Sequence, residues 1–169
     1  MHATIEIPET DAKPQTNASK RKVLLVDDDP AIRQILVRLL AEEGFDVVTA
    51  ANGNQALDLA NATKFDLVLL DLNMPVKNGW ETFEQLSVKD PLLPIIIITA
   101  RPNQFFPALA SGVGALLEKP LDFARLIYTI HNLLEEPAEA RLARYTGRHP
   151  TFRYIPSQKE GESGKETQP

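Results

Sequence analysis

Four short apolar runs in this chain each end on a polar side chain suited to phosphoryl chemistry. Val23-Leu24-Leu25-Val26 leads into Asp27, Asp28 and Asp29, and Leu67-Val68-Leu69-Leu70 leads into Asp71. Ile95-Ile96-Ile97-Ile98 leads into Thr99, and Ala115-Leu116-Leu117-Glu118 into Lys119. Clustered carboxylates repel one another, so at neutral pH such a group calls for a divalent cation or a protonated member. An all-oxygen donor set with no His or Cys nearby suits a hard ion, Mg2+ above all. A carboxylate beside that ion is a nucleophile toward phosphorus and gives an aspartyl phosphate. Asp71 stands alone at the end of the most central apolar run and is the best nucleophile candidate. Asp27 and Asp28 would hold the metal, while Thr99 and Lys119 would neutralise and position the phosphoryl oxygens.

Elements of a particular kind must bring these residues together. Runs of four to six apolar residues with a polar stop read as strands buried on both faces, the mark of a parallel sheet. Strands are predicted at 22–26, 46–50, 66–70, 94–99 and 115–118. Between them lie segments with helical spacing. Ile32, Ile35, Leu36, Leu39 and Leu40 share one face behind an Asp29-Pro30 start, and Gly44 ends that helix. Further helices are predicted from about Asn54 to Ala62, from near Trp80, and from about Asp122 to Leu134, with turn residues Asn73 to Gly79 between. Alternating strand and helix with short connections gives parallel strands and right-handed crossovers. In such a sheet the ligand site lies beyond the carboxyl ends of the strands, so the acids, hydroxyl and amine fall on one rim.

The bulk composition sets the frame. The chain of 169 residues, 43% hydrophobic and 24% charged, suffices for one domain with a real core. It contains no cysteine, which excludes disulfides and thiolate metal sites. No apolar stretch is long enough to span a bilayer, and a cytoplasmic location is expected. The net charge is −5, with residues 20–137 carrying −5 and residues 138–169 carrying +2. An acidic body argues against non-specific nucleic-acid binding, and no direct DNA binding or membrane association is expected. Residues 1–19 read as a disordered leader, 20–136 as the folded domain, and 137–169 as a basic and aromatic tail, largely disordered. Within that tail, 138–145 could add a short helix. The 32 residues after Pro137 are too few for an output domain.

The segments VLLVDDDPAIRQIL at 23–36, LVLLDLNMPVKNGWE at 67–81, IIITA at 96–100 and EKPLD at 118–122 also carry a family resemblance. Together they resemble the receiver domain of two-component response regulators, over about residues 20–136. The resemblance implies a CheY-like (flavodoxin-like) five-stranded parallel sheet of order 2-1-3-4-5, helices on both faces, in three layers. It implies Asp71 as phosphoacceptor, Asp27 and Asp28 as the acidic pair with Asp28 a direct ligand, and Asn73 giving its backbone carbonyl to Mg2+. Thr99 becomes the hydroxyl that meets the phosphoryl group and Lys119 the salt-bridging amine, with a Lys119-Pro120 bond that is often cis. Asp29 is expected as the helix cap. Similar proteins take the phosphoryl group from a phosphohistidine on a sensor histidine kinase or phosphotransfer protein, hydrolyse it slowly, and regulate a partner protein. The chain is therefore expected to be a stand-alone phosphoacceptor without enzymatic output. The alternative is a degenerate receiver that binds a protein regardless of phosphorylation. A small Mg2+-dependent phosphatase is weaker still, because the position two beyond Asp71 holds Asn73.

Two departures stand out. Many relatives carry an aromatic residue three positions before the lysine, where this chain has Leu116. Between Thr99 and Lys119 lie Pro102, Pro107, Gly112 and Gly114, so the fourth helix is expected to start at or near Pro107 and to be very short. At least one of Phe105 and Phe106 is expected in the core. Arg101, at the mouth of the site, is expected to act with Asn73 on how easily water reaches the aspartyl phosphate. The three histidines form no site.

Overall fold

The computed structural model describes residues 19–75, 78–101, 103–148 and 152–157. Its strands are β1 (Lys22–Val26), β2 (Asp46–Ala50), β3 (Leu67–Asp71), β4 (Ile95–Thr99), β5 (Ala115–Glu118) and β6 (Arg153–Ile155). The helices are α1 (Pro30–Glu42), α2 (Gly53–Ala62), α3 (Gly79–Lys89), α4 (Phe105–Ser111), α5 (Phe123–Glu135) and α6 (Ala138–Tyr145). All strand pairs are parallel, in the order β2-β1-β3-β4-β5-β6.

Side-chain alternation divides the core into two layers. Leu24, Val26, Leu70, Ile97 and Leu116 pack on one face with Ala56, Phe83, Leu86 and Ala108 from α2, α3 and α4. Leu25, Leu69, Ile96, Ile98 and Leu117 pack on the other with Leu36, Leu40, Leu126, Ile130 and Leu133 from α1 and α5. Because both faces are covered, every residue of β3 and β4 is buried, and each fully buried Leu or Ile contributes roughly 1.5–3 kcal/mol. No helix among the described residues is long and apolar enough to cross a membrane.

Local chemistry sets where the helices begin. Asp29 accepts from the Ala31 and Ile32 amides at 2.8 and 3.4 Å, and Pro30 occupies the first helical position. Asn52, Asn78 and Asp122 cap α2, α3 and α5 in the same manner. Helix α4 starts at Phe105, near Pro107 as expected, and is seven residues long. Pro107 falls in its first turn, where a missing N–H breaks no helical bond. Gly112 then ends α4 at φ +79°. Phe105 is half-buried and Phe106 is 77% exposed, so neither is a full core residue.

The segment after Pro137 departs from expectation. Instead of a largely disordered tail beside a five-stranded sheet, α6 forms and β6 extends the sheet along the outer edge of β5. The cause lies in buried polar chemistry. Arg144 donates to both carboxylate oxygens of Glu136 at 2.8 and 2.7 Å, with both side chains at most 5% exposed. Arg141 donates to the Leu133 and Leu134 carbonyls at the end of α5, which have no helical partner of their own. Alternation then seats β6: Phe152 packs on one core layer and Ile155 on the other. Arg144→Ala is expected to strip Glu136 of its closest partner and cost about 3 kcal/mol. Hydrogen exchange should quicken in α6 and β6 while β1 to β4 keep their protection; unchanged exchange in α6 would contradict this anchoring. Residues 1–18, His149 and 158–169 lie outside the described residues.

Candidate functional site

Parallel pairing brings the ends of β1, β3, β4 and β5 to one rim, and backbone bonds fix the residues there. The Asp27 amide donates to Ala50 O at 3.2 Å and the Lys119 amide to Thr99 O at 2.8 Å. Asp27 Oδ1 accepts from the Asp29 amide and Asp71 Oδ1 from the Asn73 amide, each at 2.9 Å. These bonds orient both carboxylates toward each other and toward Lys119. Lys119 Nζ lies 3.3 Å from Asp27 Oδ2 and 3.2 Å from Asp71 Oδ2. The Lys119-Pro120 peptide is cis.

The electrostatics leave an excess of negative charge. Asp27 and Asp71 are 1% and 2% exposed, Asp28 is exposed, and one oxygen from each of the three lies within 4.8 Å of the others. One ammonium cannot balance three carboxylates. Burial raises the Asp27 pKa above the usual carboxylate value, and the nearby Asp71 charge adds to the rise. For Lys119, burial pulls the pKa down, but attraction to Asp71 and Asp27 outweighs it and leaves the amine above its ordinary value. The site fits a hard divalent cation on its own chemistry: convergent carboxylates, no nitrogen or sulfur donor among them, and a deficit of positive charge. Asn73 Oδ1, buried beside Asp71 without a hydrogen-bond partner, is a further oxygen in the same neighbourhood.

Thr99 is fully buried at the end of β4, and its Oγ1 accepts from the Arg101 amide at 2.9 Å. Its own hydroxyl proton donates to no acceptor among the described residues. The structure thus brings Asp27, Asp28, Asp71 and Lys119 into direct proximity, with Thr99 on the adjoining strand end and Asn73 two residues past Asp71. Asp29 caps α1 and points away from ligation. The Arg101 side chain is exposed at the mouth. His131 stands exposed between Phe45 and Glu43, remote from the site.

The β6 side chains are what sequence reasoning missed. Leu116 is buried in the core, and its partner in the β5–β6 register is Tyr154. The Tyr154 hydroxyl donates to Glu118 Oε1 at 2.8 Å, which raises the phenol pKa. The alternating Phe152-Arg153-Tyr154-Ile155 was visible as a basic and aromatic stretch; its period of two was the signal for a strand. Across the site, Trp80 Nε1 donates to Gln104 Oε1 at 2.9 Å, tying α3 to the residue before α4.

Known proteins share both sequence and geometry with this chain. Residues 23–131 match the model of the response regulator receiver domain. The transcriptional regulatory protein CpxR of Escherichia coli (strain K12) is 41% identical over 115 residues, 67% of this chain and 49% of that protein. The transcriptional regulatory protein GlrR of the same strain is 38% identical over 125 residues, 73% of this chain and 28% of that protein. The chain thus spans half the length of these curated relatives or less. Among solved structures, a CheY-like receiver domain protein from Methanospirillum hungatei JF-1 matches with a TM-score of 0.67 and 30% identity, covering 72% of this chain and 98% of that one. The response regulator TrrA from Thermotoga maritima, solved with Mg2+ and BeF, matches with a TM-score of 0.63 and 32% identity, covering 67% of this chain and 98% of that one. Doubly wound order, acidic rim and sequence match agree: the chain belongs to the response regulator receiver domain family, the phosphoacceptor module of two-component signalling.

Proposed function

We propose that Asp71 is the phosphoacceptor of this receiver and that Asp27, Asp28, Asp71 and the Asn73 carbonyl hold Mg2+. One observation carries the assignment. Asp71 is the buried carboxylate at the centre of the rim, within reach of both acids and of Lys119 Nζ at 3.2 Å. Bound Mg2+ would neutralise the acidic cluster and polarise a phosphoryl oxygen. The chain's own groups supply the rest. A carboxylate oxygen of Asp71 bonds to phosphorus while the P–N bond to a donor histidine breaks and the imidazole leaves with the electron pair. Lys119 turns from its paired carboxylates to the incoming oxygens, and the Thr99 hydroxyl donates to another.

The donor class is a sensor histidine kinase or phosphotransfer protein in the cytoplasm, the usual location of the family, and the phosphorylated form regulates a partner protein. Turnover is limited to slow loss of the chain's own phosphoryl group. The receiver spans residues 20–136, and α6 with residues 152–157 forms an appended arm.

Incubation with Mg2+ and acetyl phosphate, followed by intact mass measurement, tests the assignment. A single phosphate adduct is expected in the wild type and none in Asp71→Asn. An adduct that persists in Asp71→Asn would move the acceptor elsewhere. No adduct with any donor would favour a phosphorylation-independent binding module, and steady release of phosphate a phosphatase.

A further inference from the structure

The arm after α6 forms one side of a cavity of about 420 Å³ next to the acidic cluster. Thr99 and Lys119 line it from the site, Arg101 and Phe105 from the loop and helix after β4, and Tyr154 and Ser157 from the arm. The arm is fastened to the end of β5, which carries Lys119, and to Phe105, the first residue of α4 after the β4 end that carries Thr99. Glu118 immediately precedes Lys119 and faces Thr99 in the β4–β5 register. Its Oε1 accepts from the Tyr154 hydroxyl at 2.8 Å, and its Oε2 accepts from the amide and hydroxyl of Ser157 at 3.2 and 3.5 Å. On the other side the Tyr154 ring meets Phe105 edge-on at 5.1 Å, and Phe105 also meets Phe152 at 5.6 Å. Edge-to-face contacts of this kind contribute beyond simple burial. The arm is therefore latched to the residue beside Lys119 and walls the same cavity that Thr99 and Lys119 line.

We propose that residues 152–157 are a kinetic gate of the phosphoacceptor site, with Tyr154 as its wall and Glu118 as its latch. This rests on Asp71 as the phosphoacceptor. Two reactions would use the same opening. In loading from acetyl phosphate, an Asp71 oxygen bonds to phosphorus, the P–O bond to acetate breaks, and acetate leaves with the electron pair. In unloading, a water oxygen bonds to phosphorus and the P–O bond to Asp71 breaks. The carboxylate keeps the pair, and the water proton leaves with the phosphate or to solvent. Each needs a small molecule to approach phosphorus in line with the breaking bond. A wall beside Thr99 and Lys119 restricts both approaches, so it raises both barriers and leaves the binding equilibrium of the metal alone. A group that merely supported the fold would slow loading when removed; a gate speeds it.

The test uses the full chain. Adduct growth with Mg2+ and acetyl phosphate, and adduct loss after donor removal, are followed by intact mass for wild type, Tyr154→Ala, Tyr154→Phe and Glu118→Gln. Tyr154→Ala is expected to speed both rates about five-fold, a barrier change near 1 kcal/mol, with Mg2+ affinity by calorimetry unchanged. Tyr154→Phe keeps the ring and should stay within about two-fold of wild type, while Glu118→Gln should fall between the two. Hydrogen exchange over 152–157 reports whether the arm has lifted. Wild-type rates in a Tyr154→Ala protein whose arm has lifted would overturn the gate, as would slower loading or a change in only one of the two rates. An adduct-free wild type would overturn the phosphoacceptor assignment itself, and the gate with it.

Discussion

Lys119→Met is expected to slow phosphorylation of Asp71 by about 100-fold or more, the usual cost of deleting one preorganised donor from a charge-developing site. The same change should lower the stability of the metal-free protein by about 3 kcal/mol, because it leaves buried charge without a partner. The basis is the arrangement at the rim: Asp27 and Asp71 are almost sealed from solvent, and Lys119 Nζ sits 3.3 and 3.2 Å from them. Without the amine, one carboxylate must take up a proton on folding. Asp27, whose pKa burial already raises, is the natural one. A carboxyl with a raised folded pKa binds more protons folded than unfolded, so the variant should regain stability as pH falls from neutral toward its unfolded value. In the wild type the sign is the reverse at the other end of the scale. Lys119 is raised in the fold, so its contribution is whole at neutral pH and is lost only as pH climbs through its folded value. Mg2+ binding only the folded form should restore about 2.7 kcal/mol at a hundred times its Kd. Thermal melts with and without Mg2+, paired with the phosphorylation assay, read both effects. Equal melting temperatures and equal rates would show that Lys119 is not engaged with the acids.

The second large effect is expected at Gly79→Ala. A Cβ built there would stand 2.6 Å from Leu72 Cα, 2.8 Å from the Asp71 carbonyl oxygen and 2.9 Å from Leu72 Cδ2. Two of those three atoms are backbone, and Leu72 is fully buried, so the obstruction cannot rotate away. Overpacking of this kind costs about 3 kcal/mol. The displaced segment follows Asp71 directly and includes Asn73, so Mg2+ affinity should fall together with stability. Gly79 is needed for space, since only Gly44, Gly112 and Gly147 among the described glycines have positive φ. Urea unfolding and calorimetric Mg2+ titration check the prediction, and a wild-type midpoint would refute it.

The part of the site that stood out in the sequence is the part built from strand ends. A fully buried parallel strand must be apolar until it reaches the rim, so the first polar residue after Val26, Leu70 and Ile98 marks a rim position without any knowledge of neighbours, and after Leu117 the polar pair Glu118-Lys119 does the same. Asp29 as a cap and the brevity of α4 were legible for a similar reason, since each depends on residues adjacent in the chain. The arm was not. Its strand is three residues long, so the period of two that signals it spans too few residues to set it apart from an irregular tail, and it is held by Glu118 and Glu136 across 36 and 17 positions of sequence (Tyr154 and Arg153). Nothing local in Phe152-Arg153-Tyr154-Ile155 names those partners. In the sequence Gly79 groups with the turn residues after Asn73, whereas in the fold it is the first residue of α3. The actual requirement is a close approach between backbones, which only tertiary structure displays.

Strand β6 also decides what the sheet offers to other molecules. A parallel sheet that ended at β5 would present the amides and carbonyls of Ala115-Leu116-Leu117 as an open row, a template for another chain's extended segment. With the arm in place the outermost strand is short and carries Arg153, features by which proteins discourage edge-to-edge growth. The chain thus supplies its own sheet terminator. How far the β5 edge is covered is set by how firmly Glu118 and Glu136 keep the arm docked.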